Sequence, residues 1–410
     1  MPKLYLAVIS DLHIGHNARA KDLCPHDDYK GIKEKYVQKF INFIKSEHIK
    51  ADYLIVPGDI TGKAHPLEFE LASEAIINIG NAFNIPEEKI LFVPGNHDKD
   101  WSIPPPDEGD NTGIRVAQTY ESLKKNNWIF DRILRRSSNY MLSEESLAIW
   151  NFDDLVVVGY NSSWHDNSIA KIHHGLIKEE SLKLLDEILK IDQLKQKVKV
   201  FLVHHHPIQY SNPIPDQSDH SIMTNAENLM TLLTKFKFDL LLHGHKHVPH
   251  FNTHNINSSF PLVILGAGSF SSQLDYSYNG HASNLFHLLE VDGRDNKTNC
   301  IYGTLNSWSF LTGHGWRPSS KHDGIMPKKP FGTHTTQFEI KNKLTPIIQT
   351  NFQISNYVRW IDLVGKDNEL KYLPAECVCH VLKDIGEELG AEYLGDSPDN
   401  AMLLLPKKDL

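Results

Sequence analysis

The chain has 410 residues, of which 40% are hydrophobic, 23% charged and 10% aromatic, with a formal net charge of −9; this is a folded globular protein with length for roughly two to three domains. Its 24 glycines and 21 prolines are too few for a low-complexity or collagen-like chain, and the acidic balance excludes an unaided electrostatic grip on nucleic acid or an anionic membrane. Four cysteines, Cys24, Cys300, Cys377 and Cys379, are too sparse for a disulfide framework, so a reducing cytoplasm is expected, with no membrane association because no apolar stretch approaches a membrane span.

Residues 4–10 read as a strand, closed by Asp11 and too short for a secretory leader. Tyr36, Val37, Phe40, Ile41 and Ile44 then recur at helical spacing before a second apolar run, Tyr53–Val56. The alternation continues with a helical pattern at 69–79, strands at 90–93 and 155–159, a helix at 181–189, a strand Val198–Val203, a helix at 227–236 and a strand at 238–242. Further apolar runs follow at 262–265, 285–291 and 337–340. Short, wholly apolar strands alternating with helices predict an α/β layered sheet. The segment 103–113 (IPPPDEGDNTG) reads as an exposed loop, and the Gly-, Pro-, Ser- and Lys-rich stretch 313–332 as a connection. Beyond it, strands are expected at 347–354 and Trp360–Val364, a helix at Ala375–Leu389 and an apolar run at 402–405. The chain thus divides into a main domain 1–295, a connecting segment 296–335 and a small C-terminal α+β module 336–410.

The polar residues at the strand ends carry the functional signal. Five ends bear potential metal ligands: Ser10-Asp11-Leu12-His13, Pro57-Gly58-Asp59, Pro94-Gly95-Asn96-His97-Asp98, Val203-His204-His205-His206-Pro207 and His243-Gly244-His245-Lys246-His247. Any one of these is ordinary turn or cap chemistry. Together they converge, because open α/β sheets bind ligands beyond the carboxyl ends of their strands. Mixed carboxylate, amide and imidazole donors suit manganese, iron, zinc or nickel, and the thiolates of a structural zinc site are missing.

In this order the motifs DxH, GD, GNHD, HxP and GHxH resemble those of the calcineurin-like metallophosphoesterase superfamily. The resemblance runs from Leu4 to about Val291 and includes Gly58-Asp59-Ile60-Thr61-Gly62 and Gly266-Ala267-Gly268-Ser269. Within the superfamily the chain is most similar to bacterial class III cyclic-nucleotide phosphodiesterase-like members. The resemblance implies a four-layer α/β sandwich of two mixed β-sheets flanked by helices. It further implies two divalent transition-metal ions, one held by Asp11, His13 and His247, the other by Asn96, His205 and His245, with Asp59 bridging both. Its HxP pattern selects the residue two before Pro207, His205, whereas a count from the strand end allows His204. His97 is implied as proton donor to the leaving oxygen, with Asp98 beside it to orient the imidazole. His16 either reaches the rim of the crevice or lies on the surface.

The activity this implies is hydrolysis of a small phosphate ester, foremost a phosphodiester, by a hydroxide bridging the two ions. The segment DLHIG is also similar to the start of repair-type nucleases, but the acidic balance and the lack of a basic stripe with interleaved aromatics speak against nucleic acid as partner. Two more functions are compatible with the motifs: a phosphomonoesterase and, outside catalysis, a scaffold or partner-binding module on the same fold. A scaffold should have lost ligands, and none of the seven is missing. Cys377-Val378-Cys379-His380 reads either as a metal cluster or, on an apolar helix, as ordinary core cysteine.

Overall fold

The computed structural model describes residues 3–29, 32–103, 114–126, 128–129, 142–143, 146–166, 174–190, 197–209, 221–254, 260–274, 282–332 and 335–406. Most of the segment 103–113 therefore lies outside the described residues. Two compact units emerge, one of residues 3–290 and 306–327, the other of 291–305 and 328–410.

Two mixed sheets are built chiefly from residues of the first unit. One runs in the order β12–β11–β10–β1–β2–β3, where β1 is Leu4–Val8, β2 Tyr53–Val56, β3 Ile90–Phe92, β10 Asn284–Arg294, β11 Ile301–Leu311 and β12 Gly315–Pro318. Strands β1, β2 and β3 are parallel, with Leu6 opposite Tyr53 and Leu54 opposite Ile90, while β12 is antiparallel to β11. The other sheet has the order β4–β5–β6–β7–β9–β8, comprising β4 (Leu147–Asn151), β5 (Leu155–Tyr160), β6 (Val198–Val203), β7 (Leu240–His243), β8 (Pro249–His254) and β9 (Leu262–Ala267). Its inner four strands are parallel and its edges antiparallel.

Helices flank both sheets, as expected. On the first, α1 (Tyr36–Ser46) and α2 (Pro66–Phe83) supply Phe40 and Phe83, which with Phe270, Phe286 and Trp316 form an aromatic layer; Phe40 lies 4.9 Å from the Phe270, Phe286 and Trp316 rings. Helix α2 starts where its sequence says it should, at Pro66 after a reciprocal His65–Glu68 cap, and stops at Asn84 in left-handed conformation. Two short helices, α3 (Ile114–Gln118) and α4 (Glu121–Lys125), follow. On the second sheet, α5 (Glu179–Leu189) and α6 (Ala226–Lys235) bury Leu182, Leu185, Leu189, Leu229, Met230 and Leu233 against Val156, Val158, Phe201 and Leu241. At roughly 1.5–3 kcal/mol for each fully buried aliphatic side chain, these stripes seat the helices firmly.

Two stretches differ from the sequence reading. Residues 313–332, expected as a connection, contain β12, a 3₁₀ turn at Lys321–Asp323 and β13 (Lys328–Phe331). The reason is the buried Asp323, which accepts from Ser283, Ser320 and Arg317 and draws a polar segment inward. In the second unit, residues 347–352 and Trp360–Val364 are helical rather than extended, and the apolar run 337–340 opens a helix: α7 is Gln337–Phe352 and α8 is Trp360–Val364. A Thr336–Glu339 capping box starts α7, and Ile340, Leu344 and Ile348 bury one stripe at four-residue spacing, a period that short apolar runs disguise. Helix α9 (Ala375–Leu389) is as expected, and β14 (Tyr357–Arg359), β15 (Glu392–Leu394) and β16 (Met402–Leu404) form a three-stranded antiparallel sheet in the order β14–β16–β15. Among the described residues no helix is long and apolar enough to cross a membrane.

Candidate metal centre

Parallel strands place their carboxyl ends on a common edge. Asp11 and His13 follow β1, Asp59 follows β2, Asn96 and His97 follow β3, His204 to His206 follow β6, and His245 and His247 follow β7. These turns are tied together by backbone bonds from Asp11 N to Gly58 O (3.1 Å), His13 N to Asp59 O (3.0 Å) and Gly244 N to His204 O (3.0 Å). Asp11, His13, Asp59, His245 and His247 have φ of 51°, 49°, 52°, 72° and 55°, five of the twelve described non-glycine residues with positive φ. Left-handed backbone costs such residues roughly 1–2 kcal/mol each, so its concentration here marks a place where donor geometry overrides local preference. Gly58, at φ +96°, admits no side chain: a Cβ would lie 2.7 Å from His204 Nδ1 and 2.8 Å from Gly95 N.

Two donor clusters result, one of Asp11, His13, Asp59 and His247, the other of Asp59, His204 and His245; within each, one donor atom per residue lies within 4.8 Å of the rest. In the first, His13 Nε2 is 2.9 Å from His247 Nε2 and 3.5 Å from Asp59 Oδ2, and His247 Nε2 is 3.3 Å from Asp11 Oδ1. In the second, His204 Nε2 is 3.2 Å from Asp59 Oδ2, and Asn96 Oδ1 lies 3.1 Å from His204 Nε2 and 3.0 Å from His245 Nδ1. Ligands bound at about 2.1 Å around a tetrahedral ion sit about 3.4 Å apart, so both clusters have the spacing that one ion each requires. Asp59 Oδ2 belongs to both.

Not every expected residue joins them. His205, favoured by the HxP pattern, has its Nδ1 2.8 Å from Ser162 Oγ and its ring 4.3 Å from that of His245, while its buried neighbour His204 lies in the second donor cluster. His204 Nδ1 donates to Pro57 O at 2.7 Å, which turns Nε2 toward Asp59 and Asn96. Asp98, expected to orient His97, instead accepts hydrogen bonds from Thr61 N (2.9 Å), Gly95 N (2.9 Å), Ile60 N (3.3 Å) and Thr61 Oγ1 (3.0 Å) and so fixes two loops. The His97 ring is oriented by Gly62 O, 2.9 Å from Nδ1, and packs edge-on to His13 at 4.6 Å. His16 is surface-facing, stacked on His26 at 4.4 Å. In α9, Cys377 and Cys379 are half-buried free thiols, with Cys379 Sγ 3.1 Å from Tyr393 Oη.

Electrostatics fits the same donors to cations. Burial, together with the His97 and His247 imidazoles, holds His13 well below the usual imidazole range; burial and the His205, His204 and His206 rings do the same for His245. Both are therefore neutral donors. Burial alone would raise Asp59, but the His204, His97 and His13 imidazoles outweigh it and keep the carboxyl well below its ordinary value. For His204 the desolvation cost is overridden by Asp59 and Asp11, which raise it to about 9: anionic oxygen in this pocket demands positive charge at Nε2. Burial and the Asp59 charge push Asp98 up to about 7 against the hydrogen bonds it accepts from Gly95 and Thr61. The anionic Asp59 and the neutral His13 and His245, at ligand spacing with the remaining donors, fit a binuclear divalent-metal site.

The family model for calcineurin-like phosphoesterases matches residues 4–249. The chain belongs to this family. No curated protein matches it. Solved structures to which this calcineurin-like phosphoesterase is similar include the NAD nucleotidase of Haemophilus influenzae (11% identity, 78% of this chain and 61% of that chain covered, TM-score 0.36), the phosphopantetheinyl hydrolase of Mycobacterium tuberculosis (17%, 64% and 90%, 0.34) and Vacuolar Protein Sorting 29 of Cryptosporidium parvum (12%, 81% and 100%, 0.33). Supporting residues that sequence reasoning passed over include Ser10, whose hydroxyl donates to Asp11 Oδ2 at 2.6 Å, Ser162 behind His205, and Trp101, whose indole donates to Asn96 O at 2.8 Å. Ser10 adjoins a motif residue and was discoverable. Ser162 and Trp101 carry no sequence signal.

Proposed function

We propose that this family member is a binuclear metal-dependent phosphoesterase that hydrolyses small phosphodiesters. The observation that carries the reading is the single oxygen Asp59 Oδ2, 3.5 Å from His13 Nε2 and 3.2 Å from His204 Nε2, shared by two donor clusters. Asp11, His13 and His247 would hold one ion and Asn96, His204 and His245 the other, with Asp59 available to both. His204 takes the place that the HxP pattern assigns to His205. Two divalent ions supply a water with pKa lowered toward roughly 7 and positive charge for the phosphoryl oxygens.

The remaining chemistry belongs to side chains. Because Gly62 O can only accept, His97 Nδ1 carries a hydrogen, and Nε2 is the atom that delivers a proton to the leaving oxygen. Asp98 acts one step back by fixing the loop that presents His97. Four free cysteines fit a cytoplasmic setting, and the net charge of −9 favours a compact substrate over polyanionic nucleic acid. The intact donor set favours an enzyme over a scaffold.

Two measurements test this. Replacing His204 by Ala is expected to remove about one ion per chain, whereas His205→Gln keeps both; the opposite pattern returns the ligand to His205. With the manganese-loaded chain, kcat/KM for bis(4-nitrophenyl) phosphate is expected to exceed that for 4-nitrophenyl phosphate by roughly tenfold or more, about 1.4 kcal/mol of transition-state discrimination. A clear advantage for the monoester, or for DNA ends, overturns the diesterase assignment.

A further inference from the structure

Trp101 is placed unusually for a tryptophan. It follows the Gly95-Asn96-His97-Asp98 turn, and its indole N–H donates to the carbonyl of Asn96 at 2.8 Å, so its ring begins one peptide unit from a donor residue of the second cluster. The Lys99 ammonium lies over the ring, 4.8 Å from its centroid. Lys99 is itself only 4% exposed and is anchored on Ser163 O and Asp166 O. The indole is therefore held at two points by buried groups, yet 39% of its surface remains exposed. An immobilised, part-exposed aromatic face tied to the Asn96 turn is costly to leave in water and has already lost most of the rotamer freedom that binding would cost.

We propose that Trp101 is a specificity residue whose ring stacks on a planar aromatic substituent of the ester, such as a nucleobase, while the phosphate lies on the metal centre. The proposal rests on the phosphoesterase reading of the same site and narrows its substrate class. Stacking on an indole needs only a π-face and no particular base edge, so preference among bases should be weak. Lys99, buried against the ring, steadies it by cation–π attraction. A ligand without a planar group gains nothing from Trp101.

The test uses the manganese-loaded full chain and two cyclic phosphodiesters of the same ring size, adenosine 2′,3′-cyclic phosphate and glycerol 1,2-cyclic phosphate. Trp101→Ala is expected to lower kcat/KM for the adenosine ester by about 10- to 100-fold, chiefly through KM, and to change that for the glycerol ester by less than about threefold. Trp101→Phe, which keeps a π-face but loses the bond to Asn96, should retain most of the adenosine activity. Metal content of each variant shows whether the Asn96 turn has moved. Equal losses on both esters, or none on the adenosine ester, overturn the proposal. Calorimetric binding of adenosine 5′-monophosphate reads the stack without turnover: a Kd weakened by about 10- to 100-fold in Trp101→Ala supports it and an unchanged Kd overturns it. If wild-type protein hydrolyses neither ester, the phosphoesterase reading falls while this binding result still decides the role of Trp101.

Discussion

Asp59→Asn is expected to cost both metal sites together and to lower kcat by roughly 10³-fold or more, about 4 kcal/mol of transition-state stabilisation. The exchange is nearly isosteric. Asn Oδ1 can still accept the 2.8 Å hydrogen bond from His97 N, so the loop that carries His97 keeps its anchor. What changes is the second atom: an amide nitrogen, which donates and carries no charge, replaces the oxygen facing His13 Nε2 and His204 Nε2. Two divalent ions bring a charge of +4 to a donor set with only two anionic carboxylates, Asp11 and Asp59, and the substitution removes one of them. Asn96→Ala should affect the second ion preferentially, because Asn96 Oδ1 lies beside His204 and His245. A variant at position 59 that binds both ions and turns over normally would remove the bridging role.

The second large effect is at His97. Its ring touches the centre edge-on through His13 and lies in neither donor cluster. His97→Ala should therefore leave metal content unchanged while lowering kcat by roughly 10²- to 10⁴-fold, about 3–5 kcal/mol, for alkyl esters whose leaving oxygen must be protonated. The loss should shrink for nitrophenyl esters, whose leaving group departs as a stable anion. Loss of metal in this variant would identify His97 as a ligand or a structural pin. A uniform rate loss across leaving groups would argue against proton donation.

The candidate site was legible because chemistry and topology coincide in the chain: short apolar strands end abruptly in Gly, Asp, Asn and His, and five such ends, three from one sheet and two from the other, come together. The choice between His204 and His205 was not legible. Strand β6 is buried along its whole length, so burial does not say which of two consecutive histidines lies beside Asp59, and the HxP pattern and a count from the strand end point to different ones. The role of Asp98 was hidden for a related reason, since three of its partners are backbone N–H groups that carry no sequence identity. In the second unit, Pro346 and the short apolar runs around it concealed α7, whose helical stripe is plain only once Thr336 and Glu339 are recognised as its cap. Trp101 illustrates the limit from the other side: an aromatic residue after a metal motif acquires meaning only from its bond to Asn96 and the lysine against its ring.

The binuclear centre turns on one carboxylate oxygen serving two donor clusters, and metal stoichiometry addresses this most directly. Elemental analysis of the full chain after loading with manganese and removal of free ion should give two ions per chain for the wild type. Extraction with a chelator should abolish hydrolysis of bis(4-nitrophenyl) phosphate, and restoring manganese should return it. One ion or none under metal-replete conditions, or hydrolysis that survives complete removal of metal, would contradict a binuclear centre built on Asp59.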